Sequence, residues 1–216
     1  MVSRLLRVMT LVSSPFLSVA SRLAHWWRQG ISPGYFLVSA DYPGFLQRGE
    51  AASFCLYHAR RYCVGVGVDI GAGRFPFPGA RAIENRPEEN AYHILEADQS
   101  LDYVFSSHCL EHLAHWRAAL HEWQRVIKPG GILYLYLPHP ACRMWSPTVL
   151  RKHHVWQPEP DLLAADIAAM DFEIIENSLF PDSYLSFYVV ARRRISHNSD
   201  SAHNDDIGSA NGVPTA

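Results

Sequence analysis

Apolar segments that alternate with a helix-forming segment constrain the fold of this 216-residue chain more than any other feature. The stretches "CVGVGVDI" (63–70), "LDYVFSS" (101–107) and "ILYLYLP" (132–138) are rich in β-branched and aromatic residues, as expected of buried parallel strands. Strands that alternate with helices predict βαβ units and a parallel sheet covered by helices. The sequence therefore predicts an α/β fold.

Further segments extend this alternation on both sides. Residues 44–62 predict a helix that leads into the first strand, and "ARAIE" (80–84) predicts a short strand. Residues 160–170 predict a helix, followed by two closing strands in "FEIIENS" (172–178) and "YLSFYVVARR" (184–193).

One amphipathic helix is predicted between the second and third apolar segments. Ser107 is its expected N-cap, and "KPGG" (128–131) is its expected end. Five apolar residues at three- and four-residue spacing give it a buried stripe. They are Leu113, Trp116, Leu120, Trp123 and Ile127.

The chain is divided by composition into three parts. We expect an N-terminal helical extension or lid over residues 1–62, one domain over residues 63–195, and a disordered polar tail over residues 196–216. The formal net charge of −2 argues against a nucleic-acid partner. Four scattered cysteines without a Cys-x-x-Cys pair fit a reducing compartment, so a cytoplasmic location is expected.

Residues 1–30 carry four arginines and no acidic residue. Their apolar run "VMTLVSSPFLSVAS" is too short and too rich in serine to span a bilayer. It is compatible with a signal peptide, with an amphipathic helix at a membrane surface, and with a helix packed on the domain, which we favour. The membrane-surface alternative makes residues 1–30 a candidate for peripheral membrane contact.

A glycine turn follows the first strand. Asp69, Gly71 and Gly73 form Asp-x-Gly-x-Gly, and glycines allow a sharp turn and close approach of a ligand to the backbone. A dinucleotide-binding turn requires a third glycine where this chain has Pro76, so a nucleoside ligand is favoured. Glu84 ends the next strand, where a carboxylate can accept hydrogen bonds from both hydroxyls of a ribose; a solvated surface glutamate is the alternative.

His108, Glu111 and His112 form His-x-x-Glu-His, the spelling of an inverted zinc-protease motif. A zinc hydrolase needs these residues on a continuous helix and a third ligand from elsewhere. Here the motif lies where a strand turns into a helix, so we expect no metal site. We expect Glu111 and His112 to orient the following helix by hydrogen bonds.

Four segments in order resemble the class I S-adenosylmethionine-dependent methyltransferases, in particular the methyltransferase type 11 group. They are "VDIGAG", "DQSLDYVFSSHCLEHL", "RVIKPGGILYLYLPH" and the late "HHVWQP…LLAADIAAMDFEII…SFYVVARR". The resemblance covers residues 64–192. It implies a Rossmann-like, doubly wound sheet, mostly parallel with an antiparallel last strand. Because Glu84 and Asp98 are close in sequence, the second helix and third strand of the family must be abbreviated.

The resemblance also implies a cofactor, S-adenosylmethionine, and a role for particular residues. Asp69, Gly71 and Gly73 would line the pocket for its methionine half, and Glu84 would hold the ribose. Asn90 and Ala91 match the Asp-Ala pair beside the adenine, with Asn90 in place of the acid. Ser106 and His108 would lie under the sulfonium and the substrate.

Methyl transfer from a sulfonium requires a positioned acceptor and a group that takes its proton. The predicted histidine bases are His108 and His139, which follow the second and third apolar strands, with His153 or His154 as a second choice. His139 has an alternative role in capping its strand. We expect a small-molecule or glycan acceptor and O-methylation. The alternatives are a methyltransferase-like binding protein without catalysis, and the zinc hydrolase.

Overall fold

The computed structural model describes residues 51–142, 154–182 and 184–195. Its elements in chain order are α1 (Ala51–Ala59), β1 (Gly67–Ile70), β2 (Arg81–Ile83), β3 (Leu101–Ser107), a 3₁₀ turn (Leu110–His112), α2 (Trp116–Val126), β4 (Ile127–Pro138), α3 (Pro160–Ala168), β5 (Phe172–Asn177) and β6 (Ser186–Arg193).

In this part of the chain the strands form one mixed sheet of six, in the order β2-β1-β3-β4-β6-β5. The first four strands in this order pair in parallel. Strand β6 is antiparallel to both β4 and β5. The predicted Rossmann-like sheet, mostly parallel with an antiparallel last strand, is confirmed.

Several predictions fall on residues outside the described ranges. These are the membrane contact of residues 1–30, the tail over residues 196–216, the base His153 and most of the N-terminal extension, of which residues 51–62 are described. Within the described ranges, no helix has the length and apolar character needed to cross a membrane.

The core lies on both faces of the sheet because β4 is buried on both sides. Leu133, Leu135 and Leu137 pack into the cluster that contains α2 and α3. Tyr134 and Tyr136 point to the opposite face, into the cluster that contains α1. Alternate residues of a strand face opposite sides. This pattern explains the continuous apolar run in the sequence and confirms the doubly wound arrangement.

The predicted start of the amphipathic helix is wrong, whereas the helix ends next to the predicted stop, with Ile127 as its C-cap. Ser107 is the last residue of β3, and α2 begins only at Trp116, after the 3₁₀ turn. His108 has a φ of +49°, which no right-handed helix accommodates, so the chain turns before the helix can start. At the other end, Ile127 pairs with Leu101 and opens β4. Ladder hydrogen bonds there outweigh the helical spacing of the sequence.

The abbreviated middle is confirmed. Residues 84–100, all of which the structure describes, contain no helix or strand beyond an isolated bridge between Asn90 and His93. Arg81 in β2 binds both carboxylate oxygens of Glu89 at 2.6 Å. Arg125 in α2 donates to the carbonyl oxygens of Ile94, at 2.8 Å, and Glu96, at 3.0 Å. Arginine contacts thus hold the short connection against the sheet, and β2 is left as an edge strand.

Candidate active site

Three chemistry-bearing segments meet where the parallel strands end. Ile70 is the partner of Ile83 in β2 and of Ser106 in β3. The glycine turn, Glu84 and the turn at His108 directly follow these three strand ends. Ligands of open α/β sheets bind at this carboxyl edge, so these segments form the candidate site.

The glycine turn and the carboxylate of Glu84 face each other. The Gly71 amide donates to the Ile83 carbonyl oxygen at 2.8 Å, which ties the turn to β2. The Gly73 amide donates to Glu84 Oε1 at 2.6 Å. Glu84 is partly exposed, and a carboxylate has further acceptor capacity on its two oxygens. The turn and the carboxylate are therefore joined directly at the carboxyl edge of the sheet.

Asp69 lies beneath the glycine turn. Its side chain is buried, and Oδ2 accepts a hydrogen bond from the Phe77 amide at 2.7 Å. Burial raises the pKa of Asp69 to about 7, and the Glu84 charge raises it further, while the bond from Phe77 opposes both. Asp69 thus holds the end of the glycine loop through the Phe77 amide. The position of Asp69 next to the glycines in the sequence did not indicate this role.

The contribution of Asp69 to the free energy of unfolding should fall as the pH rises from about 4 to about 7, because Asp69 must lose its proton in a buried place. The folded-state pKa lies above the unfolded value, so this stability is present at low pH and lost through the folded pKa. The Asp69→Asn variant should lack this dependence, a difference of roughly 4 kcal/mol between pH 4 and pH 8. Urea unfolding at several pH values measures it.

The exposed Glu88→Gln variant serves as the control and should keep the wild-type slope. If Asp69→Asn showed the same pH slope as the wild-type protein, the assignment of this dependence to Asp69 would be wrong.

Asn90 and Ala91, the predicted adenine residues, form a tight local turn. Asn90 Oδ1 accepts from the Tyr92 amide at 2.9 Å, and Nδ2 donates to the Arg86 carbonyl oxygen at 3.3 Å. The Ala91 carbonyl oxygen accepts from Trp123 Nε1 in α2 at 2.8 Å. The amide of Asn90 is therefore engaged within its own turn.

Ser106 joins the ends of two strands. Its buried hydroxyl donates to the Ile70 carbonyl oxygen at 2.9 Å. Cys109, which the sequence did not single out, packs on the glycine turn: a Cβ added to Gly71 would lie 2.5 Å from Cys109 Sγ. A lone cysteine carries no spacing signal, so only the structure reveals this contact.

His108 is enclosed in the turn after β3. Its amide donates to the Tyr136 carbonyl oxygen at 2.8 Å, and Nε2 lies 2.9 Å from Ser186 Oγ. Burial lowers the pKa of His108 to about 3, with further lowering by the nearby rings of His154 and His112. His108 is therefore neutral at pH 7 and, in this environment, a weak base.

His139 is bound to backbone on both sides of its ring. Nε2 donates to the Leu179 carbonyl oxygen at 3.1 Å, and Nδ1 accepts from the Ala141 amide at 3.0 Å. Its own amide donates to the Leu185 carbonyl oxygen at 2.8 Å. This arrangement fits the alternative role of capping the strand, and its role as a base stays a prediction.

Glu111 is surrounded by three imidazoles. Its Oε1 lies 3.6 Å from His108 Nδ1, 3.8 Å from His112 Nε2 and 3.9 Å from His154 Nε2. The side chain is fully buried, and neither carboxylate oxygen has a hydrogen-bond partner. Burial raises the pKa of Glu111 to about 8. The hydrogen bonds by which we expected the Glu111 side chain to orient the helix are not formed.

Comparison with known proteins gives a family match over the same region. Residues 49–135 match the family model described as "Methyltransferase domain", a span that contains the glycine turn, Glu84 and the histidine turn. A comparison with curated protein sequences finds no match.

Solved structures of similar fold include three with the following measures. A chain in a complex that contains the Haloferax volcanii Trm112 methyltransferase activator is 15% identical, with a TM-score of 0.55 over 72% of this chain and 93% of that one. A "possible histamine N-methyltransferase" from Thermotoga maritima is 15% identical, with a TM-score of 0.51 over 69% and 93%. An S-adenosylmethionine-dependent methyltransferase from Mesorhizobium loti is 14% identical, with a TM-score of 0.50 over 67% and 99%.

Proposed function

We propose that this chain, which carries a methyltransferase domain over residues 49–135, transfers the methyl group of S-adenosylmethionine to a hydroxyl oxygen of a small molecule or sugar. The family, the fold and the enzyme class predicted from the sequence are confirmed by the domain match and the sheet. Our proposal concerns three further points, namely the acceptor, the atom that is methylated and the fate of the proton.

The 2.6 Å bond between the Gly73 amide and Glu84 carries the proposal, because it places a carboxylate next to a glycine turn at the carboxyl edge of the sheet. A bound adenosyl group needs an acceptor for its ribose hydroxyls and a backbone that it can approach closely. Glu84 supplies the first and Gly73 supplies the second, whereas Cys109 occupies the space beside Gly71. Asp69 supports the same turn from below. The residues present therefore fit S-adenosylmethionine.

S-adenosylmethionine supplies a methyl group that is already activated by a positive sulfur, so the protein must mainly position the acceptor. We assign His108 to this positioning. Its ring is neutral at pH 7, can accept a hydrogen bond from a hydroxyl, and is held by Ser186. Its low pKa means that it does not keep the proton, which the acceptor oxygen loses to solvent water as the methyl group is transferred. His139 contributes by fixing the chain after β4.

Labelled methyl transfer tests the function. The full chain is incubated with S-adenosylmethionine that carries a labelled methyl group and with panels of hydroxylated small molecules and sugars. The His108→Asn variant suits the positive φ of this position, since asparagine tolerates it. We expect kcat to fall by roughly 10²-fold in this variant, with the cofactor affinity unchanged.

His121→Asn, at an exposed histidine of α2, is the matched control and should keep the wild-type kcat. A loss of rate in His139→Asn alone would transfer the assignment from His108 to His139. Cofactor binding without any methylated product would favour the binding-protein alternative, and no cofactor binding at all would refute the proposal.

We also propose a cytoplasmic location on the argument from composition, with residues 1–30 as the candidate segment for peripheral membrane contact. Cell fractionation of the full chain and of a chain without residues 1–30 tests both parts. Recovery of the full chain outside the cell, or equal membrane fractions for the two chains, would contradict them.

A further inference from the structure

We propose that Glu111, His112 and His154 form a binding site for one divalent transition-metal ion, and that zinc is the ion to test. One carboxylate oxygen and two imidazole nitrogens are a donor set that such ions prefer. The three donor atoms, one from each residue, lie within 4.8 Å of one another. The sequence predicted no metal site, and the zinc-hydrolase alternative used His108 where the proposed site uses His154.

The distances are close to those of a loaded site. Glu111 Oε1 lies 3.8 Å from His112 Nε2 and 3.9 Å from His154 Nε2. A tetrahedral zinc ion with bonds of about 2.0–2.2 Å holds its donors roughly 3.3–3.6 Å apart. To bind zinc, the distances from Glu111 Oε1 to the two imidazole nitrogens must therefore shorten by up to about half an ångström. The distance between the two imidazole nitrogens must shorten by more. The His112 side chain is 41% exposed, so its ring has room to turn.

The carboxylate of Glu111 points to a cation. The side chain is 0% exposed, and neither oxygen accepts a hydrogen bond. A buried carboxylate without partners is costly, and proteins usually satisfy it by pairing or by metal coordination. Imidazole nitrogens of three histidines lie 3.6–3.9 Å from Glu111 Oε1, and imidazoles coordinate a metal in their neutral form. A cation between Glu111, His112 and His154 would satisfy the carboxylate without adding a protein group.

Backbone and indole hydrogen bonds bring His154 to Glu111 across 43 residues of chain. The Val155 amide donates to the Glu111 carbonyl oxygen at 3.0 Å. Trp156 Nε1 donates to the Leu110 carbonyl oxygen at 2.9 Å, and the Trp156 ring stacks on Trp116 with a centroid distance of 4.5 Å. These contacts fix the segment after His154 on the 3₁₀ turn. The donors are thus positioned by rigid neighbours, as an effective metal site requires.

The site differs from the inverted zinc-protease motif. That motif needs its two histidines on one face of a helix, whereas here His108 has a φ of +49° and its Nε2 bonds to Ser186. Three protein ligands leave at least one coordination position for water or another oxygen ligand. If the proposed methyl transfer is correct, the oxygen of the acceptor is a candidate for that position. The metal site itself does not depend on that function.

Zinc titration by calorimetry tests the site on the full chain, purified without a polyhistidine tag and stripped of metal. We expect one zinc ion per chain. Each of Glu111→Gln, His112→Ala and His154→Ala should weaken the affinity by roughly 100-fold or more, since even the loss of a partner of a ligand costs 10–100-fold. The matched control is His121→Ala, an exposed histidine of α2, which should bind as the wild-type protein does.

Two further measurements keep the proposal testable if a variant does not fold. Zinc should raise the melting temperature of the wild-type protein and of His121→Ala, but not that of the three ligand variants. X-ray absorption of the zinc-loaded wild-type protein should show only nitrogen and oxygen ligands, with two imidazoles. Absence of zinc binding, a ligand variant that binds normally, or sulfur ligands in the spectrum would overturn the proposal.

S-adenosylmethionine binding is measured in the same preparations by a separate titration. A protein that binds the cofactor and no zinc would refute the metal site alone. A protein that binds zinc and no cofactor would refute the proposed function alone.

Discussion

The Glu84→Ala variant should bind S-adenosylmethionine roughly 10²- to 10⁴-fold more weakly than the wild-type protein. Hydrogen bonds to a charged acceptor contribute about 1.5–3 kcal/mol each, and an adenosyl ribose offers two hydroxyls. Every 1.4 kcal/mol corresponds to a factor of about ten in affinity. The variant also loses the acceptor that holds the Gly73 amide, so the glycine turn becomes less ordered. Calorimetric titration with the cofactor measures the change.

Glu88→Ala is the matched control, because Glu88 is an exposed glutamate four residues further along the same connection. Its affinity for the cofactor should stay within about twofold of the wild-type value. Wild-type affinity in Glu84→Ala would show that the ribose is held elsewhere, and it would remove the main support for the proposed cofactor site.

The Gly71→Ala variant should lose about 2–5 kcal/mol of unfolding free energy. Gly71 has a φ of +75°, and for a residue with a Cβ this conformation costs about 1–2 kcal/mol. The new Cβ would also lie 2.5 Å from Cys109 Sγ and 2.6 Å from Cys109 Cβ. Overpacking of this kind typically costs about 1–3 kcal/mol more. Urea unfolding measures the sum of both costs.

Gly79→Ala separates the two costs. Gly79 also has a positive φ, +89°, but a Cβ there meets no atom within 4 Å, so it should lose only about 1–2 kcal/mol. In a double-mutant cycle, Cys109→Gly should recover part of the loss in Gly71→Ala. Equal losses at Gly71 and Gly79, without coupling to Cys109, would contradict the packing argument.

The sequence predicted those parts of the fold that depend on local composition. The run in β4 reads as a buried strand because Leu133, Tyr134, Leu135 and Tyr136 all face a core, on alternate sides of the sheet. The turn after β1 is recognisable from its glycines, because Gly71 and Gly73 have a positive φ that other residues avoid. Such features are set by each residue's own backbone or burial.

Features that depend on contacts between distant segments were not predictable. The helical spacing that includes Ile127 is real in the sequence, yet pairing with Leu101 decides that Ile127 is in a strand. In the same way, no local pattern brings His154 to Glu111, because the contact depends on the packing of Trp156 against the 3₁₀ turn. The His-x-x-Glu-His spelling indicated a metal geometry that the turn at His108 prevents.

In the described part of the chain, no further strand pairs with the outer edge of β2, and this has a consequence for the behaviour of the protein at high concentration. An uncovered outer strand is a template on which a second molecule can extend the sheet. Here β2 offers only three residues for such pairing, too few for a stable ladder. Its first residue, Arg81, carries a charge that is bonded to Glu89. As far as the structure describes the chain, the β2 edge is therefore too short and too charged to extend the sheet with a second molecule.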